Sequence, residues 1–330
     1  MTERPVGILA MAYGTASGPD DVERYYTDIR GGRKPSARRL AELKARYAAI
    51  GNRFPLLEIT CRQAAGLEEA LNRKEPGRYR AYLGMKHSPP FIEEGVERMR
   101  EDGIERAVGL VLAPHWSGMS VETYHQRIEA AVGSSGVPAF TFVRSWHDHP
   151  GFVEFLSRRV ESALARLPSE QRAGAQVLFT AHSLPTRMAE DGTTRCLRCS
   201  WCDATCRYVE ELRHTADLVA GMAGLGSHSI AWQSAGRTDD PWWAPPVEEV
   251  IQQLARGGTP AVVVCSAGFV ADHLEILYDL DIEARQVAER AGIGFVRTEM
   301  PGANPAFIEV LASVVREHLA EADSRAGVVG

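Results

Sequence analysis

Cysteine is scarce in this chain outside one short stretch. Of six cysteines in 330 residues, only Cys61 and Cys265 lie apart from residues 196–206, so a disulfide-stapled scaffold is excluded. Long hydrophobic runs are missing too. No stretch of about 18 apolar residues exists, which rules out a helical membrane span. The opening MTERPVGILAMAYG has too short an apolar run, with an Arg and a Glu before it, to read as a signal peptide. There is no excess of positive charge: 37 Lys and Arg face 43 Asp and Glu, net −6, which argues against a broad nucleic-acid surface. A cytoplasmic protein is the expectation, and in that reducing compartment clustered thiols read as metal ligands or redox groups.

Apolar and charged fractions of 45% and 24% are ordinary for a globular chain, and its length suggests two domains of about 150 residues each. Eight apolar runs of strand length recur between amphipathic stretches: residues 6–13, 80–85, 107–114, 139–143, 176–182, 229–233, 261–268 and 294–299. Continuous Val/Ile/Leu runs alternating with helices imply parallel strands covered on both faces. The second four repeat the plan of the first. FIEEGVERMREDGIERAVGLVLAPH and VEEVIQQLARGGTPAVVVCSAGF each run helix, Gly-containing stop, buried strand, small-residue loop. The fold class expected is α/β, two Rossmann-like domains, each a four-stranded parallel sheet flanked by helices, split near HDHPGF into 1–150 and 151–330. Ligands of such sheets bind beyond the carboxyl ends of the strands. The tail ADSRAGVVG is expected to fray.

CLRCSWCDATC spaces its cysteines as C-x2-C-x2-C-x3-C. Thiolates this close suit an iron–sulfur cluster, and the run matches a bacterial ferredoxin pattern except that Arg207 stands where Pro is usual. Zinc held by four thiolates remains open on spacing alone. Cys61 and Cys265 read as core thiols. Read as a helix, Glu275, Asp279 and Glu283 fall four residues apart along one face. That row is either a solvated acidic face or a path for a hydrated cation and departing protons.

The strand ends carry AMAYGT (10–15), YYTDIRGGRKPS (25–36), RYAAIG (46–51), KHSPPFIE (86–93), LAPHWS (112–117), AHSLP (181–185), WQSAGRTDDPW (232–242) and GFVADHLEILYDLDIE (268–283). In this order, over about residues 5–318, the chain resembles the ferrochelatases, most closely the bacterial coproporphyrin III ferrochelatases. The resemblance implies a chelatase-like fold with a porphyrin cleft between two domains. It also implies an enzyme of haem and porphyrin biosynthesis, a lyase, that inserts ferrous iron into coproporphyrin III and releases two protons.

Residue by residue, the resemblance makes His182 the metal-facing, proton-accepting histidine, since imidazole is both ligand and base; alone, it could equally cap its turn. Glu275 would face His182 across the porphyrin, and Asp279 and Glu283 would form an outer metal site. Arg30 and Arg46 match positions near the propionates, which guanidinium binds bidentately. Tyr13 matches a tyrosine that can ligate the product's iron, and Tyr47 and Tyr124 match porphyrin contacts. His87 is a further candidate. Phe54 replaces a small hydroxyl residue of relatives, so Arg53 beside it is a candidate to supply the lost propionate contact. Family precedent favours a 2Fe–2S cluster on Cys196, Cys199, Cys202 and Cys206, ahead of 4Fe–4S or zinc. Partners implied are coproporphyrin III and ferrous iron, with transient contacts to neighbouring haem-pathway enzymes. Protoporphyrin IX as substrate, a non-catalytic iron–sulfur or tetrapyrrole carrier, and a cobalt or nickel chelatase are the competing readings.

Overall fold

The structure, a computed structural model, describes residues 4–190, 192–197, 206–236 and 238–328. The chain forms two compact units. One comprises Met1–Ala113, Ser120–Trp146 and Pro301–Gly330; the other comprises Pro114–Met119 and His147–Met300.

The first unit is built on β1 (Val6–Ala12), in which every residue is buried. After β1 come helices α1 (Val22–Ile29), α2 (Ala37–Ala49) and α3 (Leu56–Asn72), then β2 (Tyr79–Met85). The buried positions of α3 include Leu56, Thr60, Ala64, Leu67 and Leu71, the three-to-four spacing of a one-sided helix. Helix α4 (Ile92–Glu101) leads to β3 (Arg106–Val111), and α5 (Val121–Val132) to β4 (Ala139–Val143). All pairings are parallel, in the order β2-β1-β3-β4.

The second unit repeats this plan. Helix α6 (Pro150–Ala165) and the single turn α7 (Ser169–Arg172) precede β5 (Gln176–His182). A small antiparallel hairpin follows, β6 (Thr186–Met188) with β7 (Thr194–Cys196). Then come α8 (Arg207–Met222), β8 (His228–Gln233), α9 (Val247–Arg256) and β9 (Ala261–Cys265), and α10 (Arg285–Arg290) leads to β10 (Gly294–Arg297). The order is β10-β9-β5-β8, again all parallel. Strand β9 reads AVVVC and is buried throughout, as a strand covered on both faces must be. Val262, Val264, Ile251, Ile276 and Leu280 pack in one cluster on it.

All eight expected sheet strands are present, and the two sheets share one winding. From β1 the chain moves to β2 on one side and then crosses to β3 on the other. From β5 it moves to β8, then crosses to β9. In each sheet the winding reverses beside the central strand, and such a switch point opens a crevice at the strands' carboxyl ends.

Four features depart from the sequence expectations, the first being that Cys61, read as a core thiol, is exposed on α3. The final helix, α11 (Pro305–Val328), returns to the first unit, where it packs on α3, whereas a division at 150 assigns it to the second half. Arg316 donates to the Ala70 carbonyl at 2.9 Å and Gln63 to that of Gly302 at 3.0 Å. The tail expected to fray from residue 322 continues this helix through Val328. Finally, Ile276–Ala284 is a π-helix, not an α-helix.

Candidate functional site

His182 is the last residue of β5, the strand at the switch point of its sheet. A buried polar network supports it from below. The Thr180 and Ser266 hydroxyls donate to the Gln233 side-chain oxygen at 2.8 and 3.1 Å. The Ser183 amide donates to the Gln233 carbonyl at 2.8 Å, and the Tyr208 hydroxyl to the carbonyl of His182 itself at 3.0 Å. The loop after β9 approaches so closely that a Cβ on Gly268 would lie 2.5 Å from the Ala181 Cβ. Only glycine fits there, and its amide donates to the Thr180 carbonyl at 3.0 Å.

That loop brings Glu275 and His273 to His182. The imidazole Nδ1–H donates to the Ser183 carbonyl, which directs Nε2 to Glu275 Oε1 at 3.5 Å. The other carboxylate oxygen lies 3.5 Å from His273 Nε2, and the His273 ring packs on Phe269. One carboxylate thus joins two imidazoles. The expectation that Glu275 faces His182 across a porphyrin is corrected by this geometry: the side chains are in direct contact and nothing planar fits between them. Both extend from the carboxyl ends of adjacent strands in one sheet, so they present one joint face.

The pair polarises itself. Burial alone would depress the His182 pKa, but the Glu275 carboxylate, the Ser183 carbonyl and the charge of Asp279 together raise it to about 9. For Glu275, burial favours the neutral acid, and His182 and then His273 outweigh it, holding the carboxyl well below its usual range. Both side chains remain about a third exposed, 33% and 34%, so water and ions reach them.

The acidic row continues along the π-helix. Hydrogen bonds closed at i+5 give more residues per turn than the 3.6 of an α-helix. A four-residue spacing therefore drifts little from one face, and π segments recur at functional sites. Asp279 is buried and accepts a hydrogen bond from Ser234 Oγ at 2.5 Å. Ser234, just past β8, has φ 61°, a left-handed conformation that costs about 1–3 kcal/mol in a non-glycine residue. Glu283 is partly buried and, after burial itself, adds to the upward push on the Glu248 carboxyl.

In the first unit, Tyr13 follows β1 directly and is 42% exposed. His87, just past β2, sits with its ring 4.6 Å from that of Tyr13, and its Nδ1–H donates to Asp28 at 2.7 Å. Between Tyr13 and Tyr124 lies the Lys86 ammonium, 6.0 and 5.1 Å from the two ring centres. Burial, reinforced by Arg127, lowers the Lys86 pKa to about 8. Tyr13, His87 and Tyr124 are thereby brought together around one cation. Gly14 permits the turn: its φ is +100°, and a Cβ would meet Ser88 Oγ at 2.7 Å.

Tyr47 is buried and stacks on Phe54 at 4.4 Å. Arg30 donates through Nε to the Arg33 carbonyl at 3.1 Å and lies over Tyr26. Arg46 is partly buried and Arg53 exposed.

Of the four clustered cysteines, Cys199 and Cys202 lie outside the described residues. Cys196, ending β7, and Cys206, capping α8, are both buried with sulfurs 3.1 Å apart and no disulfide between them. The hydrogen bond from Cys196 leads the effects that lower the Cys206 thiol to about 6, against burial and with help from the Val209 and Tyr208 amides. Thiolates are the form that binds metal, and two thiolates on one tetrahedral metal with bonds of about 2.3 Å stand about 3.7 Å apart, so this pair would have to part slightly to share one. Tyr208, whose hydroxyl reaches the His182 carbonyl, also feels the charges of both cysteines, after burial, as an upward push on its own pKa.

Sequence reading missed Lys86, His273, Gln233 and Ser234. The first two carried a signal, since each stands within two residues of a chosen site residue, in KHSPP and ADHLE. Gln233 and Ser234 matter through backbone and network geometry, which spacing does not encode.

A duplicated α/β chain with imidazole and carboxylate gathered at a switch point defines the class first: a metal-handling protein of the chelatase fold. Two solved structures share this fold. "SirB from Bacillus subtilis with Fe3+" aligns with a TM-score of 0.58 at 13% identity, over 97% of this chain and 98% of that one. The sirohydrochlorin chelatase SirB from Bacillus subtilis subspecies spizizenii, in complex with cobalt, gives 0.54 at 12% identity, over 95% of each chain. The family model for ferrochelatase matches residues 5–319, and the chain belongs to the ferrochelatase family. The coproporphyrin III ferrochelatase of Geobacillus kaustophilus is 44% identical over 98% of this chain and 99% of its own length. That of Bacillus subtilis is 42% identical over 97% and 99%. Among the described residues no helix is long and apolar enough to cross a membrane.

Proposed function

We propose that this chain is a coproporphyrin III ferrochelatase, inserting ferrous iron into coproporphyrin III with release of two protons. The observation that carries the reading is the direct His182–Glu275 contact at the switch point of the second sheet, in a chain whose full-length relatives are coproporphyrin III ferrochelatases.

Metal insertion demands a base for two pyrrole protons and a ligand that replaces water on iron. With its pKa raised by Glu275, His182 is protonated at neutral pH before iron arrives. An imidazolium is neither base nor ligand. A dication drawn to Glu275, with Asp279 and Glu283 behind it, repels that proton. The Glu275 carboxylate passes it to solvent, since both side chains are partly exposed. The neutral imidazole then accepts a pyrrole proton while iron takes the vacated nitrogen electrons. The second proton follows the same route, and His273 holds the Glu275 carboxylate in line throughout. The aromatic and cationic group of Tyr13, Lys86, His87 and Tyr124 binds the macrocycle and its carboxylates, and Arg30, Arg46 and Arg53 are further propionate partners. Tyr47, stacked on Phe54 and buried, is a further macrocycle contact in the same proposal.

Cys196, Cys199, Cys202 and Cys206 hold a 2Fe–2S cluster in the same proposal, in a cytoplasmic setting. The close buried pair Cys196 and Cys206 supports it. When bound, such a cluster supplies a redox-sensitive cross-link between β7 and the start of α8; metallation itself transfers no electron.

Purified protein given ferrous iron is expected to metallate coproporphyrin III faster than protoporphyrin IX, measured by loss of porphyrin fluorescence. Binding without turnover would mean a carrier, and a reversed preference would reassign the substrate. The protein as isolated should contain two irons and two acid-labile sulfides with visible absorption. A colourless protein with zinc would overturn the cluster.

A further inference from the structure

A second group of metal-ligating side chains lies at the start of α6 and on one face of α8. The His147 Nε2 and His214 Nδ1 atoms stand 3.2 Å apart. Those residues and Asp148 each offer a ligand atom, all within 4.8 Å of one another. Zinc–nitrogen bonds of 2.0–2.1 Å arranged tetrahedrally place two ligand nitrogens about 3.3 Å apart. The two imidazoles already hold that spacing. The Asp148 carboxylate lies 3.8 Å from the other ring nitrogen of His147, Nδ1, and is 55% exposed, so its side chain has room to turn toward the imidazole pair.

The surroundings are built for a fixed histidine. Its Nδ1 faces the buried Glu211 carboxylate at 3.6 Å. Glu211 is held by the Trp116 amide and by Arg207 Nε, each at 2.6 Å, and the Thr215 hydroxyl donates to the His147 carbonyl at 2.8 Å. Arg207, Glu211, His214 and Thr215 share one face of α8. His147 thus has one ring nitrogen facing a second imidazole and the other facing an anchored carboxylate, and a carboxylate behind the ring is the usual support of a histidine that holds a transition metal.

We propose that His147, His214 and Asp148 form a binding site for one divalent transition ion of borderline softness, zinc or one of its neighbours, with Glu211 as the positioning residue for His147. Two nitrogens and one oxygen suit zinc, cobalt, nickel or ferrous ions over calcium or magnesium. The exposure of His214 and Asp148 leaves the fourth position to water. Such an ion ties the His147–Pro150 segment to α8, the helix that Cys206 caps. The site is separate from His182 and does not depend on the reaction proposed above.

Zinc titration against a chromogenic chelator, on the full-length protein as isolated, tests it. The native protein is expected to bind one equivalent more than His214→Ala or His147→Ala, with iron insertion by His214→Ala unchanged. Glu211→Gln should keep the equivalent but weaken it roughly 10- to 100-fold. Equal stoichiometry in the native protein and both histidine variants would overturn the site, leaving the imidazoles a hydrogen-bonded pair. Should either variant fold poorly, anomalous scattering at the zinc edge from native crystals decides. A peak between His147 and His214 supports the site, and its absence while zinc is bound elsewhere overturns it.

Discussion

The two sheets are wound alike, yet the chemistry at the ends of their central strands differs. Strand β1 ends at Ala12 and gives way to Tyr13 and Gly14; strand β5 ends with Ala181 and His182. At the first end, rings and a partly buried ammonium gather: Tyr13, His87, Tyr124 and Lys86. At the second, imidazoles and a carboxylate gather: His182, Glu275 and His273. The difference teaches that the duplicated fold supplies two equivalent places to put a site, and the residues just beyond each strand decide what is handled there. The first set suits a flat, anionic organic guest; the second suits a metal and protons.

Breaking the second end should cost the most. His182→Ala is expected to lower iron insertion by at least about 100-fold, the scale of a lost general base, with porphyrin affinity measured by fluorescence quenching kept. Loss of affinity with unchanged turnover would reverse the roles of the two ends. A smaller and more pointed comparison uses the glycines. Gly268→Ala forces a methyl against Ala181, and Gly14→Ala forces one against Ser88 at a positive φ. Each should cost about 1–3 kcal/mol of stability by denaturant unfolding. Gly268→Ala should then reduce kcat, whereas Gly14→Ala should weaken porphyrin binding. Equal effects on both readouts would erase the division of labour.

Much of this was legible in the sequence because buried parallel strands are written as continuous apolar runs; AVVVC and VGILAMA admit no other reading once helices flank them. His182 and Tyr13 were legible because strand ends are where such sheets bind ligands. The return of α11 to the first unit was not, since its partner α3 lies more than two hundred residues earlier and helix periodicity names no partner. Nor was the direct His182–Glu275 contact. It depends on Gly268 letting the loop after β9 close on Ala181, and no spacing reports how near two loops come. The π-helix after Glu275 was likewise not legible, because the apolar positions of a nine-residue segment do not report whether its hydrogen bonds close at i+4 or i+5.

The imidazole–carboxylate contact also sets a dependence on pH. A histidine whose pKa is raised on folding, here from 6.5 to about 9, adds stability that is complete below about pH 6.5 and is lost as pH rises through about 9. Glu275, lowered on folding, adds stability above the ordinary carboxylate pKa that is lost in acid. The most direct measurement of the central claim is the titration of His182 by NMR in the porphyrin-free protein, native and Glu275→Gln. A native midpoint near 9, falling markedly in the variant, where only the Ser183 carbonyl and the Asp279 charge still oppose burial, is the predicted result. A native midpoint at or below 6.5 that does not move in the variant would contradict the account.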